Sequence, residues 1–178
     1  MVTNDPRAEA LTDDAPGSWE EVLGHLAEVS GTYWLTLPRE GGTPHTRPLL
    51  AVWVAGRPYF ACGDGTKKAR LLAASPRVSL AVSTGLLDVV VEGRVERIRD
   101  EDRVKEVAGA YPVVYGWPPV AEGDLLTGPD GAPTAGPPPY AVYGIVPGTG
   151  YAFPTGDVGH GATRWRFGPQ EERFGDVR

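Results

Sequence analysis

One cysteine, Cys62, stands in 178 residues. No internal disulfide can form, and a multi-cysteine metal site is excluded. Histidine is scarce as well. His25, His45 and His160 show no metal-ligand spacing, so no structural metal is expected. Positive charge is in short supply: 17 Lys and Arg against 23 Asp and Glu leave a net charge of −6. A general nucleic-acid binder would be basic, so none is expected. A local basic pocket for one anionic ligand stays compatible with that balance. No window approaches the ~20 apolar residues that a membrane helix needs, and no charged start followed by an apolar run reads as a signal peptide. A cytoplasmic protein without a membrane partner is the expectation. Two catalytic signatures are missing, the phosphate loop G-x-x-x-x-G-K-[ST] and the nucleophile elbow G-x-S-x-G. Gly148-Thr149-Gly150 fails as a dinucleotide fingerprint, because Phe153 takes the third glycine position and Pro154 follows, so no helix opens there.

What the chain does hold is enough apolar content, 41%, for one globular domain. Residues 1–17 mix Asp, Pro, Ala and Gly without periodicity and read as a flexible or loosely docked arm. Ser18 with Glu21 three residues on forms a capping-box pattern before an amphipathic helix, Ser18–Val29. Thr32–Leu37 is β-branched and aromatic, hence a strand. Thr43–Val54 reads as one long strand, closed by a tight turn at Ala55-Gly56 and answered by a second strand, Arg57–Cys62. Pro44 and Pro48 cannot donate to a ladder, so the long strand is expected at a sheet edge or with a bulge near its start. A glycine loop then feeds a short basic helix, Lys67–Ala74, stopped by Ser75-Pro76. Arg77–Ser83 and Asp88–Ile98 read as further strands, with a bulge or bend at Gly93. A helix opens at Asp100, and Pro112 is expected to stop or kink it. Residues 116–139 are rich in Gly and Pro and read as a loop insertion. Tyr140–Pro147, Gly150–Phe153 and Thr163–Phe167 are the last strands, and residues 168–178 read as a flexible tail. The sum is mainly β, with two or three helices and no regular βαβ alternation. An antiparallel barrel over residues 18–167 with helices at its rim fits best.

The region from Thr43 to Val78 carries the chemistry. Paired strands, a glycine loop and a basic helix start form an anion cradle: free backbone N–H groups and the helix dipole favour a phosphate, and lysines add charge. Lys67, Lys68 and Arg70 are the candidates, against the alternative of a solvated helix face. Arg47 reads either as a ligand contact or as one half of a surface ion pair. His45 is the best placed of the three histidines, against the alternative of an exposed imidazole near a turn. Trp165 reads as a core residue or as a stacking plate between Arg164 and Arg166.

The segment T-P-H-T-R-P-L, the later K-K-A-R-L-L-A-A-S-P-R-V, the strand V-V-V-E-G-R-V-E-R-I, the Y-x-x-x-Y-G-W-P at Tyr111–Pro118 and the terminal T-R-W-R-F together resemble the pyridoxamine 5′-phosphate oxidase-like split-barrel family. The resemblance implies a six-stranded split β-barrel and a homodimer with two cofactor sites at its interface. It implies FMN or the deazaflavin coenzyme F420 as cofactor. Lys68 and Arg70, with Lys67, would hold the phosphate. His45, Thr46, Arg47, Pro48 and Leu49 would lie along the ring, and Trp165 and Arg166 would reach the site from the last strand. Two departures stand out. Leu71 replaces the Asn that many relatives carry after the arginine, and the R-x-x-x-L-K run of the oxidase proper is absent, which argues against oxidation of pyridoxamine phosphate itself.

The chemistry so implied is hydride transfer between the cofactor and a small organic substrate, with the protein positioning both and excluding water. The basic residues Arg47, Lys67, Lys68, Arg70 and Arg77 would suit the long anionic tail of F420. An arginine-over-lysine, Ala/Gly/Pro-rich usage tilts the expectation the same way. The alternative is a non-catalytic protein of the same fold that binds or stores FMN, haem or another planar ligand. No catalytic side chain is singled out.

Overall fold

The computed structural model describes residues 6–128, 131–132 and 136–168. Its elements run β1 (Arg7–Ala10), α1 (Trp19–Ala27), β2 (Tyr33–Pro38), β3 (Pro44–Leu49), β4 (Ala51–Val54), β5 (Arg57–Cys62), α2 (Lys67–Ala74), β6 (Arg77–Ser83), β7 (Leu87–Ile98), α3 (Glu101–Tyr115), β8 (Val120–Glu122), β9 (Leu125–Thr127), β10 (Tyr140–Pro154) and β11 (Thr163–Arg166). All pairings between these strands are antiparallel. They form one eleven-stranded sheet in the order β1-β11-β10-β7-β6-β2-β3, with β5 joining β10 to β4, and β9 joining β10 to β8. The mainly-β reading holds. The strand count is eleven rather than six, and the ladder among the described residues does not close on itself.

Period-two burial sets one face inward. Along β2, Tyr33, Leu35 and Leu37 are buried and Trp34 between them is exposed. They meet Val78, Leu80 and Val82 of β6, Val89 and Val91 of β7, and the apolar stripe Trp19, Val22 and Leu26 of α1 in one core. A second core packs Val104, Val107 and Tyr111 of α3 against Val52, Tyr59, Leu126, Tyr140 and Val142. Burial of these side chains, at roughly 1.5–3 kcal/mol each, holds both layers.

Several expectations change in detail. The segment Arg7–Ala10, placed in a flexible arm, pairs with β11. The chain behind it is tied down by Gly161 N to Ala15 O (3.0 Å) and Gly17 N to Thr163 Oγ1 (2.9 Å). All four residues of β1 are exposed, so no hydrophobic period announced the strand. Ser18 stands at the start of α1 without a capping side-chain bond. The long strand breaks at Leu50 into β3 and β4, where the hydroxyl of Tyr115 donates to Ala51 O at 2.8 Å and that of Tyr111 to Leu50 O at 3.4 Å. The Ala55-Gly56 turn is present, with φ of 49° and 76°, as a two-residue hairpin requires. The helix α3 runs through Pro112 and ends only at left-handed Gly116. Inside the expected 116–139 loop, β8 and β9 form a hairpin against β10. The two strands expected at 140–153 are one strand, β10, irregular between Pro147 and Thr149 opposite Gly93. A Cβ at Gly93 would sit 2.2 Å from Val146 O, which explains glycine there. Gly168 is the only residue of the expected tail that is described; residues 169–178 lie outside the described set.

Candidate functional site

Strand β3 ends the ladder and pairs only with β2, so one of its edges keeps backbone groups free, as its prolines predicted. Register places His45, Arg47 and Leu49 opposite Leu37, Leu35 and Tyr33, on the inward face. His45 and Leu49 are buried, whereas Arg47 between them is exposed. Thr46 and Pro48 point outward with Thr36 and Trp34, and the two threonine hydroxyls meet at 2.9 Å. Ring contacts from Thr46 and Pro48 would therefore come from their backbone or from the outer face.

Helix α2 begins where expected. Thr66 caps it by accepting from Ala69 N at 3.1 Å, and its hydroxyl lies 3.0 Å from Cys62 Sγ. Ala69 and Leu72 anchor α2 in the core, leaving Lys67 and Arg70 exposed. Lys68 is half-buried, with Nζ 6.0 Å from the Phe60 ring centroid. Burial pushes its pKa down, while the nearby Cys62 works in the opposite direction. The ammonium is held against the desolvation that opposes it. The loop ahead of α2 is tied by Asp64 to Arg97 at 3.3 Å.

Electrostatics bring the strand and the helix together. His45 is pushed below the usual imidazole value first by burial, then by the positive charges of Arg47, Arg39, Lys67 and Lys68. Arg39, from the β2–β3 turn, donates from Nη2 to His45 Nδ1 at 2.8 Å. Seven ion pairs occur among the described residues, and none involves Arg39, Arg47, Lys67, Lys68 or Arg70. Arg47 donates only to its neighbour's carbonyl, Thr46 O. A set of cations without counter-charges, beside a capped helix start and a free strand edge, can take a phosphate.

The C-terminal strand behaves differently. Trp165 is 1% exposed, packed against Trp19 at 5.3 Å between ring centroids, so it is core. Arg166 lies exposed in register with Thr149 and Arg7. Four strands separate β11 from β3 along the ladder. Within this one chain neither residue joins the α2 cations. Arg77, expected to extend the basic groove, lines another concavity instead. This is an open groove of about 530 Å³ with Thr36, Pro44, Ser79, Glu92 and Arg94. It does not hold the α2 cations. Beside Lys68 itself lies a small cavity of about 20 Å³ among Leu49, Tyr111 and Trp117. That is room for about one water. A cavity of that size does not take a planar ring.

Residues 25–122, more than half of the chain, match the family model described as pyridoxamine 5′-phosphate oxidase. The chain belongs to the pyridoxamine 5′-phosphate oxidase family. The matched span contains both T-P-H-T-R-P-L and K-K-A-R, whereas T-R-W-R-F lies beyond it. Solved structures with this fold agree at low identity. A NimC/NimA-family protein from Clostridium acetobutylicum is 16% identical with a TM-score of 0.56, over 82% of this chain and 91% of that one. A FAD-binding protein from Mesorhizobium loti is 17% identical with a TM-score of 0.55, over 90% and 97%. A heme binding protein from Mycobacterium smegmatis is 17% identical with a TM-score of 0.57, over 76% of this chain and 54% of that one. Comparison with curated protein sequences found no match. No helix among the described residues is long and apolar enough to cross a membrane.

For this pyridoxamine 5′-phosphate oxidase family member, sequence reasoning missed Arg39 and Thr66. Arg39 sits in a turn, where no periodicity marks it. Thr66 was legible: a threonine three residues before Ala69, at a helix start, is an N-cap signal.

Proposed function

We propose that the protein is a flavin- or deazaflavin-dependent oxidoreductase that moves a hydride between bound FMN or coenzyme F420 and a small organic substrate. The observation that carries this reading is the group of unpaired cations, Arg39, Arg47, Lys67 and Lys68, gathered around His45 at the open edge of β3. Lys67, Lys68 and Arg47 would hold the phosphate, with Arg70 one turn further along α2. The free edge of β3, from His45 to Leu49, would carry the ring. The cofactor would supply the hydride chemistry. The chain's own work is to bind, orient and shield. The split-barrel description of the sheet belongs to the same proposal.

Side-by-side fluorescence titration of ligand-stripped protein with FMN and F420 tests it. One of the two is expected to bind with a dissociation constant in the micromolar range or below. Binding of neither under any condition sinks the reading. One observation favours a second reading, a non-catalytic binding protein for FMN, haem or another planar ligand. Besides burial, the influences that lower the pKa of His45 are all cations, and the hydroxyls of Tyr111 and Tyr115 are spent on backbone carbonyls, so neither tyrosine is free to give a proton. Tight binding with background turnover on enones and quinones would decide for that reading.

The functional unit in this proposal is a homodimer with cofactor sites at the interface. The outer sheet face supports it. Trp34, on the penultimate strand β2, is 50% exposed and flanked in register by Pro48 and Ala81, and Phe153 is 42% exposed further along. Sedimentation should give a dimer for the native chain and a monomer for Trp34→Glu. A native monomer would refute the dimer.

A further inference from the structure

His45 is a buried imidazole among cations, and its surroundings are unusually one-sided. From the β2–β3 turn comes Arg39, from β3 itself Arg47, and from α2 Lys67 and Lys68. Opposite His45, β2 presents apolar Leu37. Glu40, next to Arg39, makes no ion pair among the described residues. An arginine can only donate, so the 2.8 Å bond from Arg39 Nη2 makes Nδ1 the acceptor and leaves the ring proton on Nε2. The imidazole is thus neutral, and its lone pair holds Arg39.

We infer that anion binding at this site is coupled to proton uptake by His45, which makes the site selective for a dianionic phosphomonoester over a monoanionic diester. The inference rests on the phosphate site proposed above. An entering dianion offsets the cations that, after burial, hold the pKa of His45 down. A solvent proton then binds Nδ1, which can no longer accept from Arg39. The guanidinium is released toward the anion, and a further cation is added in the same step. A monoanion offsets half the charge and drives the proton on less strongly.

The sign follows from linkage. Between the pKa of His45 in the empty site and its higher value in the complex, the complex holds more protons, so affinity rises as pH falls. Sulfate is the probe, because it keeps its double charge across the neutral range, whereas a phosphomonoester titrates near about pH 6. Sulfate affinity is expected to rise by up to about tenfold per pH unit on lowering the pH through this window. Calorimetry in two buffers of different ionisation heat should report uptake of up to one proton. In His45→Gln, whose amide can still accept from Arg39, the affinity should lose its pH dependence. In the native chain, imidazole resonances identified by their absence in that variant should show His45 protonating when sulfate is added at constant pH. Dimethyl phosphate, a monoanion, should bind more weakly with a shallower pH slope. Sulfate binding with a flat pH profile and a neutral His45 would overturn the coupling while leaving the phosphate site standing. Equal behaviour of dimethyl phosphate would overturn the selectivity. No sulfate binding at any pH would overturn the coupling and the phosphate site together.

Discussion

Lys67→Ala combined with Lys68→Ala is expected to weaken cofactor binding by about 100-fold or more while leaving the fold intact. The estimate takes about 1.5 kcal/mol for each charge-assisted contact to a phosphate, the low end of the usual range. The stability side of the argument is independent. Lys67 is exposed, and Lys68 is half-buried beside Phe60 without an ion pair. A lysine whose folded pKa lies below its unfolded value binds its proton less well in the folded state. Its burial is therefore a penalty that is fully present below the folded pKa and is relieved as pH rises through it toward about 10.4. Removing the ammonium lifts that penalty. Lys68→Met, which keeps the stem packing, should raise the thermal midpoint as it removes affinity. A residue retained against stability is what a binding site requires. If the double alanine variant bound FMN and F420 as the native chain does, the phosphate would have to lie elsewhere. The open groove of Arg77 and Arg94 would then be the next place to look.

How much of this was readable beforehand depended on which signal each element carries. Helix α2 was placed to the residue, because a glycine loop, a basic start and Ser75-Pro76 punctuate it locally. Pro44 and Pro48 left an edge or a bulge open for this strand, and the ladder puts β3 at the edge. β1 was invisible, because a four-residue edge strand exposed on both faces has no period to read. β8 and β9 were hidden for a related reason. They are three residues each, inside a stretch whose Gly and Pro content announces loop, and they form by pairing with distant β10. The single long β10 was split in the reading because Pro147-Gly148 looks like a turn; in the sheet it is a register shift absorbed opposite Gly93. At the site, residues close in sequence to the glycine loop were singled out by that local pattern. Arg39 was not, since its meaning comes from a hydrogen bond to His45 across the hairpin.

Trp165 separates family likeness from physical placement most sharply, and Trp165→Ala is expected to cost about 3–5 kcal/mol of stability. That would lower the thermal midpoint by roughly 6–20 °C in a domain of this size. The ring is 1% exposed and touches Trp19, which in turn packs edge-on against Phe167 at 5.1 Å and Trp53 at 6.2 Å. Gly150 lies opposite Trp165 in register, and a Cβ there would come within 2.9 Å of Trp19. The pocket is thus already filled at the smallest residue, and nothing nearby can collapse into the space an indole leaves. Trp165→Phe should recover part of the loss, since it keeps an aromatic ring in contact with Trp19. Cofactor affinity, measured well below the melting transition, should change little in Trp165→Phe, because a side chain sealed in the core has no face left for a ring to stack on. A Trp165→Phe variant that stayed stable but lost its cofactor would reverse the assignment and make Trp165 a contact after all, reached by a movement of α1. Arg166, one residue on and exposed on the outer face, remains the group through which β11 of a second copy could reach the site.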